Sequence, residues 1–425
     1  MPNGSTTGPL SGLRLAVVDL LFSWPPNGGA DVDLFHVMRG LAEAGASLQL
    51  YCLHVTGSWE RGRITAPDQL PCPVHVIECS RNALCADFLA QTLEAQFRIW
   101  SPDLVLLAHG FTLKPLLLER LGSSWPVISR YYAHEMACLR DPKRFLNGAP
   151  CPRHCLRDAV PCGECATSHL MSGIRSGRWN AWTEEFVASG AWRAEWVETA
   201  KRGIRAAAAL VVSNTELARE AKHFHPNVFV VPGGANVSDF SFRSEPFRAS
   251  TDPFRIFMPG RCDDPTKGLQ VFREAAALLV QRGFVLDCCC THPDPAWSEP
   301  PVRSLGWLTK EETAEAYSST HIVVVPSVWH EPFGLVAVEA MAAGKPVVAS
   351  RSGGLADIIV DGETGLLVPP GDPRCLAEAI ARLLSDPNIR NSMGIAGRQR
   401  VEEHYDWHAV IRRHYIPLLT GLVGK

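Results

Sequence analysis

The stretch HIVVVPSVWHEPFGLVAVEAMAAGKPVVAS, residues 321–350, contains three successive patterns. It opens with a short run of β-branched residues, continues into an apolar helix-forming stretch that ends at Gly344, and closes on a second β-branched run, KPVVAS. Short and continuously apolar runs are typical of strands that are buried on both faces of a parallel sheet. The stretch therefore predicts a strand–helix–strand unit of an α/β protein.

The same alternation extends along the chain on both sides of this unit. Further strand-like runs begin at Leu13, Ser47, Asp103, Pro126, Ala209, Val228, Phe254 and Phe284. Apolar residues at helical spacing separate several of them, as in residues 32–42, 269–279 and 376–384. The pattern predicts an α/β fold of two doubly wound, Rossmann-like domains.

A lapse in this alternation predicts the domain boundary. Between about Asn236 and Asp252 the chain is polar and contains proline, and the alternation restarts afterwards. We therefore expect an N-terminal domain over residues 1–240 and a C-terminal domain over 241–405. Residues 406–425 are aromatic and amphipathic, which predicts a helix that packs back across the domains.

Composition and charge exclude several classes of partner. The 425 residues are 46% hydrophobic and 20% charged, with a formal net charge of −3. These values are normal for a globular protein and favour neither nucleic acid nor an anionic membrane as a partner. The first eleven residues carry no secretory pattern, and no apolar run is long enough for a transmembrane helix. We expect a cytoplasmic protein, with peripheral association to the inner membrane as the alternative.

The residues that follow the strand at 321–327 are candidates for binding an anion, because ligands of open α/β sheets lie beyond the carboxyl ends of the strands. Gly334 precedes a helix whose first N–H groups and dipole suit a phosphate. Glu331 lies before that helix and Glu339 lies within it, so one carboxylate can bond sugar hydroxyls and the other a ribose. A helix start with two solvated glutamates is the alternative interpretation.

Two other turns carry a weaker phosphate pattern. Arg261 and Lys267 lie between a strand and a helix in MPGRCDDPTKGLQ, residues 258–270, where two cations suit a diphosphate. The pair Gly28–Gly29 follows the first strand and either turns backbone amides toward a phosphate or forms a plain turn. The pattern G-x-G-x-x-G is absent there, which argues against a dehydrogenase.

Taken in order, five segments of the chain resemble one family. The segments are GGAD (28–31), YYAHE (131–135), GRCDDPTKG (260–268), HEPFGLVAVEAMAAGKPVVAS (330–350) and GETGLLVPPGD (362–372). They resemble the retaining glycosyltransferases of family 4, which have the GT-B fold of two Rossmann-like domains facing a cleft. The string from Glu331 to Glu339 is its most specific part. The resemblance implies a nucleotide-sugar-dependent glycosyltransferase that retains anomeric configuration and requires no catalytic metal.

The resemblance also implies a role for each matched residue. The residues implied to be catalytic are His134, which would sit near the reacting sugar carbon, with Glu331, Arg261 and Lys267. The residues implied to bind the donor are Gly28, Gly29, Gly260, Arg261, Lys267, Gly306, Trp307, Leu308, Glu331, Phe333, Gly334, Leu335 and Glu339. One stretch departs from the family: Leu355-Ala356-Asp357 stands where Pro-Glu is usual, so we expect altered contacts there.

The resemblance leaves the substrates and two rival functions open. The donor would be a UDP-, GDP- or ADP-linked sugar, and the acceptor a saccharide, a lipid-linked sugar or a small natural product. One rival is a sugar-nucleotide epimerase or hydrolase of similar two-domain shape. The other is a zinc-stapled sugar-binding protein without catalytic activity, against which the intact donor motif argues.

A cysteine-rich insert occupies about residues 138–170 of the N-terminal domain. Cys151, Cys155, Cys162 and Cys165 follow the pattern C-x3-C-x6-C-x2-C, and four thiolates could close a tetrahedral structural zinc site. Free or redox-active thiols and disulfides are the alternatives. Aromatic residues at 179–196 follow the insert and predict core packing, with the lining of an acceptor pocket as the alternative.

Overall fold

Two units make up the chain, and both are built on parallel strands. The structure is a computed structural model that describes residues 8–57, 61–177, 179–242 and 252–424. The N-terminal unit contains residues up to 146, residues 151–231 and the segment from Ile411 onward. The C-terminal unit contains residues 147–150 and 232–410. Part of the predicted boundary stretch, residues 243–251, and residues 1–7 of the N-terminal stretch lie outside the described residues.

The N-terminal unit has a seven-stranded sheet in which every neighbouring pair is parallel, in the order β3-β2-β1-β4-β5-β8-β9. Most of its strand residues are apolar and buried because helices cover both faces. Its strands are β1 Arg14–Asp19, β2 Ser47–Thr56, β3 Val74–Ser80, β4 Leu104–Leu107, β5 Val127–Tyr131, β8 Ala209–Val212 and β9 Val228–Val230, with the short β6 Phe145–Leu146 outside this sheet. The short β7 Ala149–Pro150 belongs to the residues that group with the C-terminal unit.

Seven helices connect these strands. They are α1 Gly29–Glu43, α2 Ala86–Trp100, α3 Lys114–Leu121, α4 Ala159–Arg175, α5 Ala181–Ser189, α6 Ala194–Ala206 and α7 Thr215–Ala221. Helix α4 contains the C-terminal half of the cysteine-rich insert. Helices α5 and α6 contain most of the aromatic residues that follow it.

The C-terminal unit has a second seven-stranded sheet, in the order β12-β13-β11-β10-β14-β15-β16. Its neighbouring strands are parallel except for the antiparallel pair β12–β13. The strands are β10 Phe254–Met258, β11 Leu286–Cys290, β12 Ser298–Glu299, β13 Val302–Ser304, β14 Ile322–Val325, β15 Val347–Ser350 and β16 Gly365–Val368. The cysteines of β11 are buried in the cores on the two faces of the sheet, as small apolar side chains.

The helices of this unit include the one predicted within residues 321–350, which spans Leu335–Ala342. In chain order they are α8 Leu269–Gln281, α9 Lys310–Ser318, α10 Leu335–Ala342, α11 Gly354–Ile358, α12 Pro373–Ser385, α13 Pro387–His404 and α14 Trp407–Val410. A π-helical turn, Ile411–Tyr415, and α15 Ile416–Val423 complete the chain. No helix in the described ranges is long and apolar enough to cross a membrane.

The predicted fold class, α/β with two doubly wound Rossmann-like domains, is confirmed. The division between the units falls at Val231–Pro232, before the predicted boundary at residue 240. The predicted C-terminal segment is also divided, because α14 clusters with the C-terminal unit whereas Ile411 and the residues after it cluster with the N-terminal unit.

Arg130 ties this last segment into the N-terminal unit. Its guanidinium, at the end of β5, is almost fully buried and donates to the Tyr415 hydroxyl at 2.5 Å and to Asp33 Oδ1 at 2.9 Å. It also lies 5.0 Å above the ring of Tyr132. Asp33 belongs to α1, so one buried cation connects a strand, a helix and the C-terminal segment.

We expect Arg130→Met to destabilise the protein by about 3–5 kcal/mol, because it leaves the nearly buried carboxylate of Asp33 without its cation. Tyr415→Phe should cost about 1 kcal/mol. Arg120→Met is the matched control, because the Arg120–Asp87 pair is exposed and should contribute less than about 1 kcal/mol. Urea unfolding measures all three, and equal losses in Arg130→Met and Arg120→Met would contradict the assignment.

Candidate functional site

The topological switch point of the C-terminal sheet lies between β10 and β14. These strands are parallel neighbours, with Ile256 opposite Ile322, and the strands that follow each of them extend to opposite edges of the sheet. Ligands of open α/β sheets bind in the crevice beyond the carboxyl ends at such a point. The loop after β10 carries Arg261 and Lys267, and the loop after β14 carries Glu331. The loops that carry three of the predicted site residues therefore lie at the two strands that flank this crevice.

Glu331 and Lys267 form an ion pair across the switch point. Lys267 Nζ lies 2.9 Å from Glu331 Oε1 and 3.0 Å from Oε2. Two further donors hold Oε2, the Ser327 hydroxyl at 2.9 Å and the Trp329 indole N–H at 2.9 Å. The Lys267 ammonium also lies 5.1 Å from the centre of the Trp329 ring, a cation–π contact. The carboxylate is therefore neutralised and held in one orientation by its own protein.

Backbone contacts hold the two loops together. The Val328 N–H donates to the Thr266 carbonyl at 2.9 Å. The Asp264 carboxylate accepts hydrogen bonds from both the backbone N–H and the hydroxyl of Thr266. These bonds cap the start of the short 3₁₀ turn Pro265–Lys267. Gly268 has a positive φ of 83°, and a Cβ there would lie 2.0 Å from the Pro326 carbonyl. Only glycine fits this close approach of the loops.

The start of α10 is shaped by a second close approach. Gly334 has a φ of 112°, and a Cβ would lie 2.6 Å from the side chain of Leu355. The Ser352 hydroxyl donates to the Trp329 carbonyl at 2.8 Å, and the Gly354 N–H donates to the Glu331 carbonyl at 2.7 Å. The departure from the family at Leu355–Asp357 is thus compatible with a loop that supports the Glu331 backbone. The first N–H groups of α10 remain available for an anion.

Glu339 lies one helical turn into α10 and pairs with a hydroxyl. Tyr317 of α9 is fully buried, and its hydroxyl donates to Glu339 Oε2 at 2.9 Å. Burial raises the pKa of Glu339 to about 7, against the lowering effect of this hydrogen bond, and the charge of Asp239 raises it further. Glu339 therefore changes charge near neutral pH, which suits a group whose affinity for a ligand hydroxyl depends on ionisation.

The remaining predicted donor residues also follow strands of the C-terminal sheet. Gly260 has a φ of 97°, and a Cβ there would lie 3.7 Å from the Val336 side chain, whereas Arg261 next to it is exposed. The segment Gly306–Leu308 follows β13, with Trp307 exposed and Leu308 packed against the core. Phe333 and Leu335 flank Gly334 and are half-buried. These residues lie in loops after strands or at the start of α10, and their binding of a donor stays a prediction.

In the N-terminal unit, Asp31 organises the loop that carries Gly28 and Gly29. Its carboxylate accepts from the backbone N–H groups of Ser23 at 3.3 Å, Asn27 at 2.8 Å and Gly28 at 3.3 Å. A Cβ on Gly28 or Gly29 would meet nothing within 4 Å. Neither packing nor a positive φ requires glycine at these two positions, so the space above the loop is open to a ligand.

His134 lies in a segment that a buried ion pair holds. Glu135 accepts from the backbone N–H groups of Tyr132 at 2.8 Å and Ala133 at 2.7 Å, and pairs with Lys114 at 3.5 Å. Lys114 also donates to the Arg130 carbonyl at 2.7 Å. Lys114 and Glu135 are almost completely buried, and His134 is 5% exposed. The predicted catalytic histidine is thus a largely buried side chain on a rigid loop after β5.

The switch point of the N-terminal sheet lies between β1 and β4 and carries a buried carboxyl group. Asp19 accepts from the backbone N–H groups of Leu21 at 2.8 Å and His109 at 3.0 Å. Burial raises the pKa of Asp19 to about 7 and lowers the pKa of His109 to about 4. The sequence analysis assigned no role to either residue. Both follow recognisable strand ends, which was the available signal.

The structure does not support the predicted zinc site. All four cysteines of the insert are described, and among the described residues no group of three or more His, Cys, Asp or Glu side chains is placed to hold a metal ion. Cys155 is fully buried, and its thiol donates to the Met136 carbonyl at 3.3 Å. Cys162 and Cys165 lie on α4. Burial raises the pKa of the Cys155 and Cys162 thiols, to about 11 for Cys162, so both are neutral.

Most of the aromatic stretch packs in the core, as expected. Trp182, Phe186 and Trp196 are buried in the main core of the N-terminal unit. The indole N–H groups of the two tryptophans donate to the carbonyls of Leu139 at 2.7 Å and Thr112 at 3.1 Å. Trp192 is exposed, with 44% of its surface accessible.

Sequence reasoning missed the residues that hold the predicted ones in place. Ser327, Trp329 and Tyr317 bind the two glutamates of the C-terminal unit, and Asp31 binds the Gly28 loop. Ser327 and Trp329 stand within four residues of Glu331, so their closeness in the sequence could have identified them as its partners. Tyr317 is 22 residues from Glu339, and only the pairing of α9 with α10 brings it there.

Similar proteins were found for the C-terminal unit and for the whole fold. Residues 253–386 match the profile of the family described as Glycosyl transferases group 1. A D-inositol 3-phosphate glycosyltransferase of Corynebacterium diphtheriae is 44% identical over 26% of this chain and 26% of its own length. A phosphatidyl-myo-inositol mannosyltransferase of Mycobacterium leprae is 34% identical over 45% of this chain and 54% of its own length. Each of these alignments spans less than two thirds of the relative.

Among solved structures, whole-chain likeness extends to GT-B glycosyltransferases. Sucrose-phosphate synthase from Thermosynechococcus elongatus has a TM-score of 0.65 at 21% identity and covers 97% of this chain and 99% of its own. Anabaena HepE in complex with UDP and glucose has a TM-score of 0.62 at 16% identity, with 96% and 100% covered. The GT-B fold predicted from the sequence is thereby confirmed.

We expect Lys267→Met to destabilise the protein by about 2 kcal/mol or more, because it leaves the buried Glu331 carboxylate without its cation. The double variant Lys267→Met/Glu331→Gln removes both charges and should recover more than half of that loss. Urea unfolding measures both, with Arg351→Met at the exposed Arg351–Asp361 pair as the control. A double variant no more stable than Lys267→Met would show that the pair contributes nothing specific.

Proposed function

We propose that this protein is a glycosyltransferase that moves a sugar from a nucleotide-sugar donor to a hydroxyl of a saccharide or small-molecule acceptor, with retention of configuration. One observation carries the proposal. At a single switch point, an ion-paired carboxylate, Glu331, stands beside a helix start, and Glu339 follows one helical turn further on. Such a set can bind sugar hydroxyls, a diphosphate and a ribose in that order.

The charges of the site favour a departing diphosphate. The Lys267 ammonium has three N–H donors. Two of them serve the two carboxylate oxygens of Glu331, so one remains for a phosphate oxygen. Arg261 is exposed on the same loop. Together with the first N–H groups of α10, these cations would stabilise negative charge as it builds on the leaving group. The proposed reaction therefore needs no catalytic metal.

The state of Glu331 bears on the stereochemistry. A double-displacement enzyme needs a free carboxylate as its nucleophile. The Glu331 carboxylate is neutralised by Lys267 and bonded by two further donors, which makes it a poor nucleophile. The resemblance to a retaining family implies retention, and with retention taken from it we infer that the acceptor attacks from the face that the diphosphate leaves. The roles given to His134, Gly28 and Gly29 stay predictions.

The similar proteins support a class of donor and a class of acceptor, but no individual substrate. HepE was solved with UDP and glucose, which supports a nucleotide-linked hexose as the donor, carried by UDP, GDP or ADP. Two relatives are named for inositol-containing acceptors, and we propose a saccharide, a lipid-linked sugar or a small natural product here. A sugar-nucleotide epimerase or hydrolase remains the second candidate, because the same donor site would serve it.

A ligand panel and product analysis test the proposal together. We expect one of UDP-glucose, GDP-mannose and ADP-glucose to raise the melting temperature, because a ligand that binds only the folded state stabilises it. With that donor and a mixture of saccharide acceptors, proton NMR should show transfer with the anomeric configuration of the donor, also in excess EDTA. No stabilisation by any donor would reject the function. An inverted product would reject retention, and conversion of the donor without acceptor would favour the epimerase or hydrolase.

Glu339 predicts a pH dependence of nucleotide binding. Burial raises the pKa of its carboxyl group to about 7, so the group is largely neutral at pH 6 and largely ionised at pH 8. If the ionised form binds the ribose hydroxyls, affinity for the preferred nucleoside diphosphate should rise about 3- to 10-fold over this range. Calorimetry at both pH values measures this affinity. Glu339→Gln is the control, because its side chain cannot titrate and any remaining pH dependence then comes from the phosphate. Equal dependence in both proteins would exclude Glu339 from ribose binding.

A further inference from the structure

The two oxygens of the Glu331 carboxylate are used unequally. Oε2 accepts from the Ser327 hydroxyl at 2.9 Å, the Trp329 indole at 2.9 Å and the Lys267 ammonium at 3.0 Å. Oε1 has the Lys267 ammonium at 2.9 Å as its protein partner. An ionised carboxylate offers about four lone-pair sites, two on each oxygen. Oε2 is therefore saturated, and Oε1 keeps one site for a ligand.

The two donors that saturate Oε2 are fixed in place. Ser327 is fully buried and Trp329 is 7% exposed. The Trp329 carbonyl accepts from the Ser352 hydroxyl at 2.8 Å, and the Lys267 ammonium covers the indole ring. Turning either donor away from Oε2 would leave a buried N–H or O–H without a partner, which is costly. A ligand hydroxyl therefore cannot displace them cheaply.

We propose that Trp329 and Ser327 are specificity-determining residues that restrict Glu331 to a single hydroxyl of the donor sugar, contacted through Oε1. The inference rests on the proposed function, in which Glu331 faces the donor sugar. A free carboxylate binds two neighbouring hydroxyls, one on each oxygen. Here the second hydroxyl finds no acceptor on Glu331. The enzyme should therefore require the one hydroxyl that contacts Glu331. It should tolerate loss of the hydroxyl at the neighbouring carbon.

A series of monodeoxy donors tests the inference. The probes are the 2-, 3-, 4- and 6-deoxy analogues of UDP-glucose or of GDP-mannose, according to the parent donor that stabilises the protein. Loss of the hydroxyl bound to Oε1 should lower kcat/KM about 10- to 100-fold, because a hydrogen bond to a charged group is lost. Loss of either neighbouring hydroxyl should change it less than about 3-fold, in keeping with the absence of a contact. In Glu331→Gln the single large loss should shrink.

The double substitution Ser327→Ala/Trp329→Phe is the decisive variant, because it removes both neutral donors from Oε2 and keeps an aromatic ring under Lys267. Only the Lys267 ammonium then remains on Oε2. The freed lone pair should accept a second hydroxyl, so a neighbouring deoxy analogue that was tolerated becomes discriminated by about 10-fold. Affinity for the nucleoside diphosphate should stay within about 2-fold of wild type. The single variants Trp329→Phe and Ser327→Ala each leave two donors on Oε2 and should keep the wild-type deoxy profile. Trp125→Phe, which alters a tryptophan packed on Phe97 in the N-terminal unit, is the matched control.

The possible outcomes distinguish failure of this inference from failure of the proposed function on which it rests. Two neighbouring deoxy analogues that each lose more than about 10-fold in the wild-type protein would overturn the restriction, since Glu331 would then bind both hydroxyls. An unchanged deoxy profile in the double variant Ser327→Ala/Trp329→Phe would also overturn it. A wild-type protein that neither binds nor turns over any parent donor would instead reject the proposed function.

Discussion

The constraint on which both units depend is the burial of parallel strands on both faces of a sheet. Such strands carry few charged side chains, and a buried one needs a partner, as Arg130 of β5 has in Asp33, because the helices on both faces exclude water. Charged groups therefore gather in the loops beyond the carboxyl ends of the strands, which lie on one side of a parallel sheet. In the C-terminal unit this side carries Arg261, Lys267 and Glu331, and in the N-terminal unit it carries Asp19 and the segment around His134.

Ion pairs make this concentration of charge compatible with burial. In the N-terminal unit, Arg61 is fully buried and pairs with Glu184 and Glu185 at 3.1 and 3.2 Å. Glu185 in turn accepts from the backbone N–H groups of Phe111 and Leu113 after β4. Each buried cation thus holds a carboxylate that positions a loop. Buried pairs of this kind contribute more to a single defined arrangement than to net stability.

The Lys267–Glu331 pair differs from these structural pairs in its partial exposure. Lys267 keeps 27% of its side chain accessible, whereas the Arg61 side chain has none. A partly exposed cation next to a helix start can give one N–H to a ligand while it neutralises a carboxylate. In the proposed donor site, this division of one ammonium between protein and ligand would let a glutamate stand beside a diphosphate without repelling it.

The sequence alone determined the fold class and the loops of the C-terminal unit in which the candidate site residues lie. Runs such as HIVVVPS and KPVVAS are readable because burial on both faces requires continuous apolar residues, and the string from Glu331 to Glu339 lies within one local strand–helix unit. It could not determine that Lys267 pairs with Glu331, that Tyr317 reaches Glu339, or that Tyr415 reaches Arg130. It also predicted a metal site from the spacing of Cys151, Cys155, Cys162 and Cys165, which the fold does not assemble. Local spacing records which residues share an element, but contacts between distant elements depend on how helices pack on a finished sheet, and only the tertiary structure decided those.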